Sequence, residues 1–121
     1  MTAQSRALGA FYGLALGDAL GMPTQSLSRE QVRARFGAIT GLEDAGADQP
    51  IAPNMPAGSI TDDTEQAILI GELLVAGQGK IEPIVLARRL IEWEAVMRAK
   101  GSQDLLGPST QRAIDMILAG H

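Results

Sequence analysis

The chain has 121 residues, of which 45% are hydrophobic and 20% charged; this composition excludes disordered and fibrous classes and suits one domain, with about 65% of the unfolded surface buried on folding. The net charge of −4 argues against nucleic acid as a partner, because phosphate binding depends on clustered Lys and Arg. There is no cysteine and the only histidine is the terminal His121, so any metal is expected to be held by oxygen ligands.

The first predicted helix is capped by Ser5 and runs to about Leu20. Its glycines recur every four residues and share one face: Gly9, Gly13, Gly17 and Gly21. Since an interior Gly costs about 0.8 to 1 kcal/mol against Ala, this face either packs closely against another helix or brings backbone near a ligand, with Asp18 as a polar contact. The run reaches Asp18 well short of a membrane span, so we expect a cytoplasmic protein with no membrane partner.

The rest of the chain is also predicted to be helical, apart from one long loop. Ser28 and Gln31 form a capping box for a short helix that ends at Gly37. Residues 38–57 show no helical period and are predicted to be a loop. Further helices are predicted from near Thr61 to Gly77, from about Pro83 to before Gly101, and from after Pro108 to Gly120. One face of the fourth helix carries Leu86, Leu90, Trp93 and Met97. No segment alternates with period two, so the predicted class is all-α.

The segment PAGSITDDT, residues 56–64, places two carboxylates and two hydroxyls at the start of the third helix. Adjacent helical residues are about 100° apart, so Asp62 and Asp63 project in different directions and could each serve a different cation. Carboxylate and hydroxyl oxygens are hard ligands that suit Mg²⁺, Mn²⁺ or Ca²⁺. The alternative is a plain helix cap, because a Thr at the N-cap followed by acids is what the helix dipole favours.

The segment GSQDLLGPST, residues 101–110, opens onto the last helix. Gly107 permits close approach, and the hydroxyls of Ser109 and Thr110 with the free amides of the helix start form an anion-friendly site that suits a diphosphate. The alternative is an ordinary helix start, where Pro and Ser are common.

Together and in this order, the motifs resemble the N-terminal half of the ADP-ribosylglycohydrolase family: G-D-A-L-G at residues 17–21 with Pro23 just beyond, Pro-x-Gly before T-D-D-T, and G-P-S-T after a Trp-bearing helix. The resemblance spans most of the chain. It implies a compact all-helical hydrolase that cleaves the glycosidic bond between ADP-ribose and an acceptor, with two Mg²⁺ or Mn²⁺ ions in the complete enzyme. The implied partner is an ADP-ribosylated protein or a small ADP-ribose conjugate.

The resemblance also assigns roles to individual residues. It makes Thr61, Asp62 and Asp63 the metal ligands of this part of the chain. Asp104 is expected to transfer protons or to position the ribose. Gln25 stands at a catalytic position where many relatives carry Glu; an amide cannot accept a proton at neutral pH, so either Asp104 does that work or the chemistry differs. The substrate contacts are expected from Asp18, Gly107, Ser109 and Thr110.

One departure concerns length. Relatives are longer and complete the metal site with Asp-x-Asp followed by Thr or Ser, and nothing of that kind follows Thr64 here. We therefore expect residues 1–121 to form an apparently truncated all-α domain that carries part of the site. A separate C-terminal half or self-association would cover its apolar helix faces. Two alternatives stay open: a non-catalytic helical module that binds ADP-ribose or a protein partner, and an inactive fragment.

Overall fold

The computed structural model describes residues 1–102 and 105–121, and all regular elements within those ranges are helical. The α-helices are α1 (Ala3–Gly21), α2 (Arg29–Phe36), α3 (Asp62–Ala76), α4 (Pro83–Ala99) and α5 (Pro108–Leu118). A short 3₁₀ turn, Met22–Thr24, directly follows α1. The all-α class that the sequence predicts is confirmed. The prediction that Asp104 acts in the site falls outside the described residues.

Hydroxyl side chains begin the first two helices. The N-cap of α1 is Thr2, whose Oγ1 accepts the Ser5 amide at 3.0 Å while the Ser5 Oγ accepts the Thr2 amide at 3.0 Å. The prediction of Ser5 as the N-cap is therefore wrong by three positions, because Ser5 is the reciprocal partner in this capping box. The box between Ser28 and Gln31 at the start of α2 is confirmed, with bonds of 3.1 and 2.8 Å.

The described residues form two compact units, Met1–Thr64 and Glu65–His121. The core of the second unit is built from buried apolar side chains of α3, α4 and α5: Leu69, Leu73, Ala87, Leu90 and Ile114. Leu86 and Trp93 pack against this core and Met97 is buried, so the predicted apolar face of α4 is confirmed. The prediction of a single domain over residues 1–121 stays a prediction.

In the first unit, residues 38–57 form the predicted loop between α2 and α3. The loop is pinned by polar contacts: the Ala45 amide donates to the Met55 carbonyl at 2.8 Å, and Arg35 of α2 pairs with Asp48 at 2.6 Å. The Gln49 side chain, only 3% exposed, lies inside the loop. The loop is therefore an ordered structure held by specific hydrogen bonds.

Helix α1 exposes most of its length, and only Ala19 of its residues is buried. A Cβ added at any of its four spaced glycines would meet no other described atom within 4 Å, so the close packing weighed from the sequence is not found in the described part of the chain. Its exposed side chains include Leu8, Phe11, Tyr12 and Leu16. A helix that is apolar all round is typical of helices buried in a larger fold. None of the helices, over the residues described, is long and apolar enough to cross a membrane.

Candidate metal centre

The carboxylate of Asp18, near the end of α1, accepts four hydrogen bonds from the start of α3. Thr61 Oγ1 donates to Oδ1 at 2.6 Å, and the Thr61 amide donates to Oδ2 at 2.7 Å. Thr64 Oγ1 donates to Oδ2 at 2.6 Å, and the Thr64 amide donates to the same oxygen at 3.3 Å. The first amides of an α-helix have no partners within the helix, so Asp18 caps α3 from a distant part of the chain.

Burial and hydrogen bonding act in opposite directions on Asp18. Burial, the largest single influence, raises the pKa of its carboxyl group, but the bonds from Thr61 and Thr64 together outweigh it and hold the pKa below the ordinary value. Thr61 and Thr64 are only 7% and 3% exposed, so water competes little for these bonds. Asp18 is therefore a carboxylate at neutral pH.

The two acids of the T-D-D-T motif lie in the same turn with different exposure: Asp62 is half-buried and Asp63 is exposed. Partial desolvation of its carboxyl group, followed by the negative charges of Asp62 and Asp18, raises the pKa of Asp63. The charges of Asp62 and Asp18 thus disfavour the ionised form of Asp63, and a bound cation would relieve that repulsion.

The donor set at this turn fits a hard divalent cation. It consists only of carboxylate and hydroxyl oxygens, the ligands that Mg²⁺ and Mn²⁺ prefer. Because the Thr61 hydroxyl donates its hydrogen bond to Asp18, the lone pairs of Oγ1 stay available to a cation. Within the part of the chain that the structure describes, no three His, Cys, Asp or Glu side chains are grouped so that they could hold a metal ion. The described residues therefore provide part of a ligand set.

Gln25 follows the 3₁₀ turn after α1, and its backbone carbonyl has a hydrogen-bond partner whereas its side-chain Nε2 has none among the described residues. Its backbone carbonyl accepts the Gln49 Nε2 at 2.6 Å. Its own side-chain Nε2 is buried and has no hydrogen-bond partner among the described residues. A buried donor without a partner is costly, and in native proteins such a group is explained by backbone strain, a catalytic role, or a bound water or ion.

Gln49 is a residue of this region that the sequence reasoning missed. Besides binding the Gln25 carbonyl, its Oε1 accepts the amides of Ile51 at 2.6 Å and Ala52 at 2.9 Å. It joins the long loop to the segment that carries Gln25. No local signal marks it, since a glutamine in a Pro-rich loop is ordinarily exposed.

The predicted diphosphate contacts belong to the second unit. Gly107 is the N-cap of α5 and makes no side-chain cap, while Ser109 and Thr110 occupy the first turn of that helix. Gly107 and Ser109 are exposed and Thr110 is half-buried, so their polar groups are accessible. Their contact with substrate stays a prediction.

Glu65, directly after T-D-D-T, is a second residue that the sequence reasoning missed. In the second unit its Oε2 accepts the Trp93 indole N–H at 2.8 Å. The two side chains line a shallow cavity of about 310 Å³. The same cavity is lined by Ile68, Leu69, Glu72, Arg89, Glu92 and Val96. Arg89 pairs with Glu72 across its wall at 3.0 Å.

The described part of the chain is all-helical, with an oxygen-rich helix start that a distant carboxylate holds, and comparison with known proteins identifies its family. The family model described as ADP-ribosylglycohydrolase matches residues 1–121. The chain belongs to the ADP-ribosylglycohydrolase family, and the resemblance seen in its motifs is confirmed.

The sequence of the chain aligns with those of several known proteins. The chain is 35% identical over 115 residues to the uncharacterized protein YegU of Escherichia coli K12, which covers 95% of the chain and 34% of YegU. It is 32% identical over 88 residues to the ADP-ribosyl-dinitrogen reductase glycohydrolase of Rhodospirillum rubrum, covering 73% of the chain and 28% of that protein. It is 33% identical over 91 residues to the ADP-ribosylarginine hydrolase Tri1 of Pseudomonas putida GB-1, covering 75% of the chain and 22% of that protein. The chain thus spans about a third or less of the length of these relatives, which is less than the half that its motifs suggested. No solved structure matches it significantly.

Proposed function

We propose that this chain contributes the Thr61, Asp62 and Asp63 ligands of a binuclear Mg²⁺ or Mn²⁺ centre in a hydrolase that cleaves the glycosidic bond between ADP-ribose and an acceptor. Family membership supports the hydrolase class. The observation that carries the proposal is the arrangement of Asp62 and Asp63 at the start of α3 beside the Asp18 carboxylate, where desolvation and then the charges of Asp62 and Asp18 raise the pKa of Asp63. Acids that repel one another at an ordered helix start are suited to a cation.

The chain's own residues have separate parts in this scheme. Asp18 holds the first turn of α3, and Asp62 and Asp63 present their carboxylates from it. When bound, the ions would grip the ribose hydroxyls and polarise water for attack at the anomeric carbon. The transition state of glycoside cleavage carries positive charge on the sugar, which nearby carboxylates stabilise. Asp104 remains the proposed group for proton transfer.

The proposed substrate is an ADP-ribosylated protein or a small ADP-ribose conjugate. Two relatives are named for such substrates, one for ADP-ribosyl-dinitrogen reductase and one for ADP-ribosylarginine. The proposed diphosphate contacts are Gly107, Ser109 and Thr110, at a helix start with accessible polar groups.

Replacement of Asp62 or Asp63 by Asn tests the proposal. We expect each variant of the chain to lose Mn²⁺ binding in calorimetric titration, and the same replacements in the complete hydrolase to abolish release of ADP-ribose from an ADP-ribosylated protein. Helix content should stay, because an acid at a helix N-terminus contributes only about 0.3 to 1 kcal/mol. Glu92→Gln is the control, since it removes one exposed carboxylate from α4. Full metal binding and turnover in both Asn variants would refute the proposal.

A second candidate function is ADP-ribose binding without hydrolysis. It is favoured by Gln25, whose buried amide can donate to a ligand oxygen but cannot act as a base. In this case ADP-ribose would bind equally well with and without a chelator, and Gln25→Met would weaken the binding. Binding of ADP-ribose that requires Mn²⁺ and is abolished by Asp62→Asn would instead support the hydrolase.

A further inference from the structure

We infer that Asp18 is a positioning residue, which fixes the directions of the Asp62 and Asp63 carboxylates for cation binding by holding Thr61 and Thr64. The inference rests on the proposed function, in which Asp62 and Asp63 are ligands. It assigns Asp18 a part that acts through other residues, whereas the sequence suggested a contact with substrate.

The first argument is geometric. Asp18 engages the amide and the hydroxyl of Thr61 and the amide and the hydroxyl of Thr64, at 2.6 to 3.3 Å. The two threonines stand immediately before and after the acidic pair. Helix ends fray unless their free amides find partners. The backbone of Asp62 and Asp63 is therefore fixed from both sides by one carboxylate.

The second argument is that the start of α3 is capped by a carboxylate from a distant part of the chain. A threonine at a helix start ordinarily accepts an amide from the first turn with its own hydroxyl. Here Thr61 Oγ1 donates to a carboxylate 43 residues away in the chain. The exchange frees lone pairs of that hydroxyl for a cation and places a third negative charge beside the pair.

The third argument is a known pattern in metal sites. Groups that form hydrogen bonds to metal ligands without touching the metal, commonly carboxylates, orient those ligands. Their loss costs about 10- to 100-fold in metal affinity. Asp18 meets this description for Thr61, through two bonds, and for the turn that carries the acidic pair.

The test compares Asp18→Asn with the unaltered 121-residue chain by Mn²⁺ titration. An amide presents NH₂ to donors that need an acceptor, so we expect about 10- to 100-fold weaker Mn²⁺ binding. Without metal, hydrogen exchange at the amides of Thr61 and Thr64 should become faster. Ser28→Ala is the matched control, because it removes another N-cap of the same unit, at α2. It should change Mn²⁺ affinity by less than about twofold, since the α2 cap lies outside the proposed ligand shell.

Thr64→Val and Thr64→Ser provide a milder second comparison if Asp18→Asn fails to fold. Val removes one donor to Asp18 and should weaken Mn²⁺ binding, while Ser keeps the hydroxyl and should restore it. Unchanged Mn²⁺ affinity in Asp18→Asn or in Thr64→Val would overturn the inference, as would an equal loss in Ser28→Ala. If the unaltered chain binds no Mn²⁺, the proposed function fails as well; if it binds and Asp18→Asn binds equally, only the positioning role fails.

Discussion

Asp18 of α1 and Asp63 of α3 lie near the same helix start, but their pKa values are shifted in opposite directions because the two groups have different neighbours. Asp18 receives four donated hydrogen bonds, and these outweigh its burial and lower its pKa. Asp63 is left with burial and two negative neighbours, and its pKa rises. Asp18 thus holds the start of α3 through hydrogen bonds, whereas the ionised Asp63 would be stabilised by a nearby cation.

The lowered pKa of Asp18 predicts a specific loss of stability in acid. A group whose pKa is lower in the folded state stabilises the fold fully above its unfolded pKa, near 3.8, and loses that contribution as the pH falls through the folded value. Asp18→Asn should therefore flatten the decline in the free energy of unfolding below about pH 5. Urea unfolding of metal-free protein between pH 7 and pH 2 measures this. Ser28→Ala should lower stability by a constant amount, and parallel curves for Asp18→Asn and the unaltered chain would contradict the prediction.

Two glutamines in the first unit are predicted to respond differently to the same replacement. Gln25→Met removes a buried donor without a partner, so it should leave the free energy of unfolding unchanged or raise it by up to about 1 to 3 kcal/mol. Gln49→Met leaves the Gln25 carbonyl and two loop amides unpaired and should lower it by about 2 to 4 kcal/mol. Chemical unfolding of both variants decides. A larger loss in Gln25→Met than in Gln49→Met would show that the assigned contacts are wrong.

At the scale of elements, helix ends were predictable where the chemistry is local. Ser28, Gln31 and Gly37 mark α2 because all three act within or next to that helix. The start of α1 was misplaced because Thr2 and Ser5 are both hydroxyl residues at box spacing, and either one reads as a cap.

The candidate site was predictable only in part, for a related reason. The sequence alone identified the motif of Thr61, Asp62 and Asp63, because these residues are adjacent in the chain. The contact of Asp18 with Thr61 spans 43 positions, and that of Gln49 with Gln25 spans 24. Pairings of that kind are decided by the tertiary fold, and no periodicity or spacing encodes them.

Helix α5 offers a direct test of the second core. Ile114 is 2% exposed and belongs to that core, whereas Met116 on the same helix is 52% exposed. Ile114→Ala should lower the free energy of unfolding by about 2 to 5 kcal/mol through lost burial and a cavity. Met116→Ala should change it by no more than about 0.5 kcal/mol. Thermal or urea unfolding followed by helix ellipticity gives both values, and similar losses in the two variants would mean that α5 packs differently.

For the molecule as a whole, the outstanding feature is the contrast between its two units. The second unit buries a defined apolar core, while α1 of the first unit exposes apolar side chains on most of its length. The chain matches about a third or less of the relatives compared, and α1 has the all-round apolar character of a helix covered by other parts of a fold.

Because α1 is exposed, we expect substitutions on its surface to change the stability of the 121-residue chain little. Tyr12 is 67% exposed, so Tyr12→Lys should change the free energy of unfolding by no more than about 0.5 kcal/mol. Urea unfolding at several protein concentrations is the measurement. A substantially larger loss, or a midpoint that rises with concentration in the unaltered chain, would show that another molecule covers α1.

The contact between Asp18 and the start of α3 also has a consequence for the order of events during folding. Closing a loop of 43 residues costs roughly 2 kcal/mol more entropy than closing a local turn of four. A helix cap supplied by a near neighbour can form as soon as the helix does, but this one must wait until α1 and the intervening loop have been brought together. The first turn of α3 is therefore expected to become rigid late, and a ligand bound there would select chains in which the N-terminal unit is already assembled.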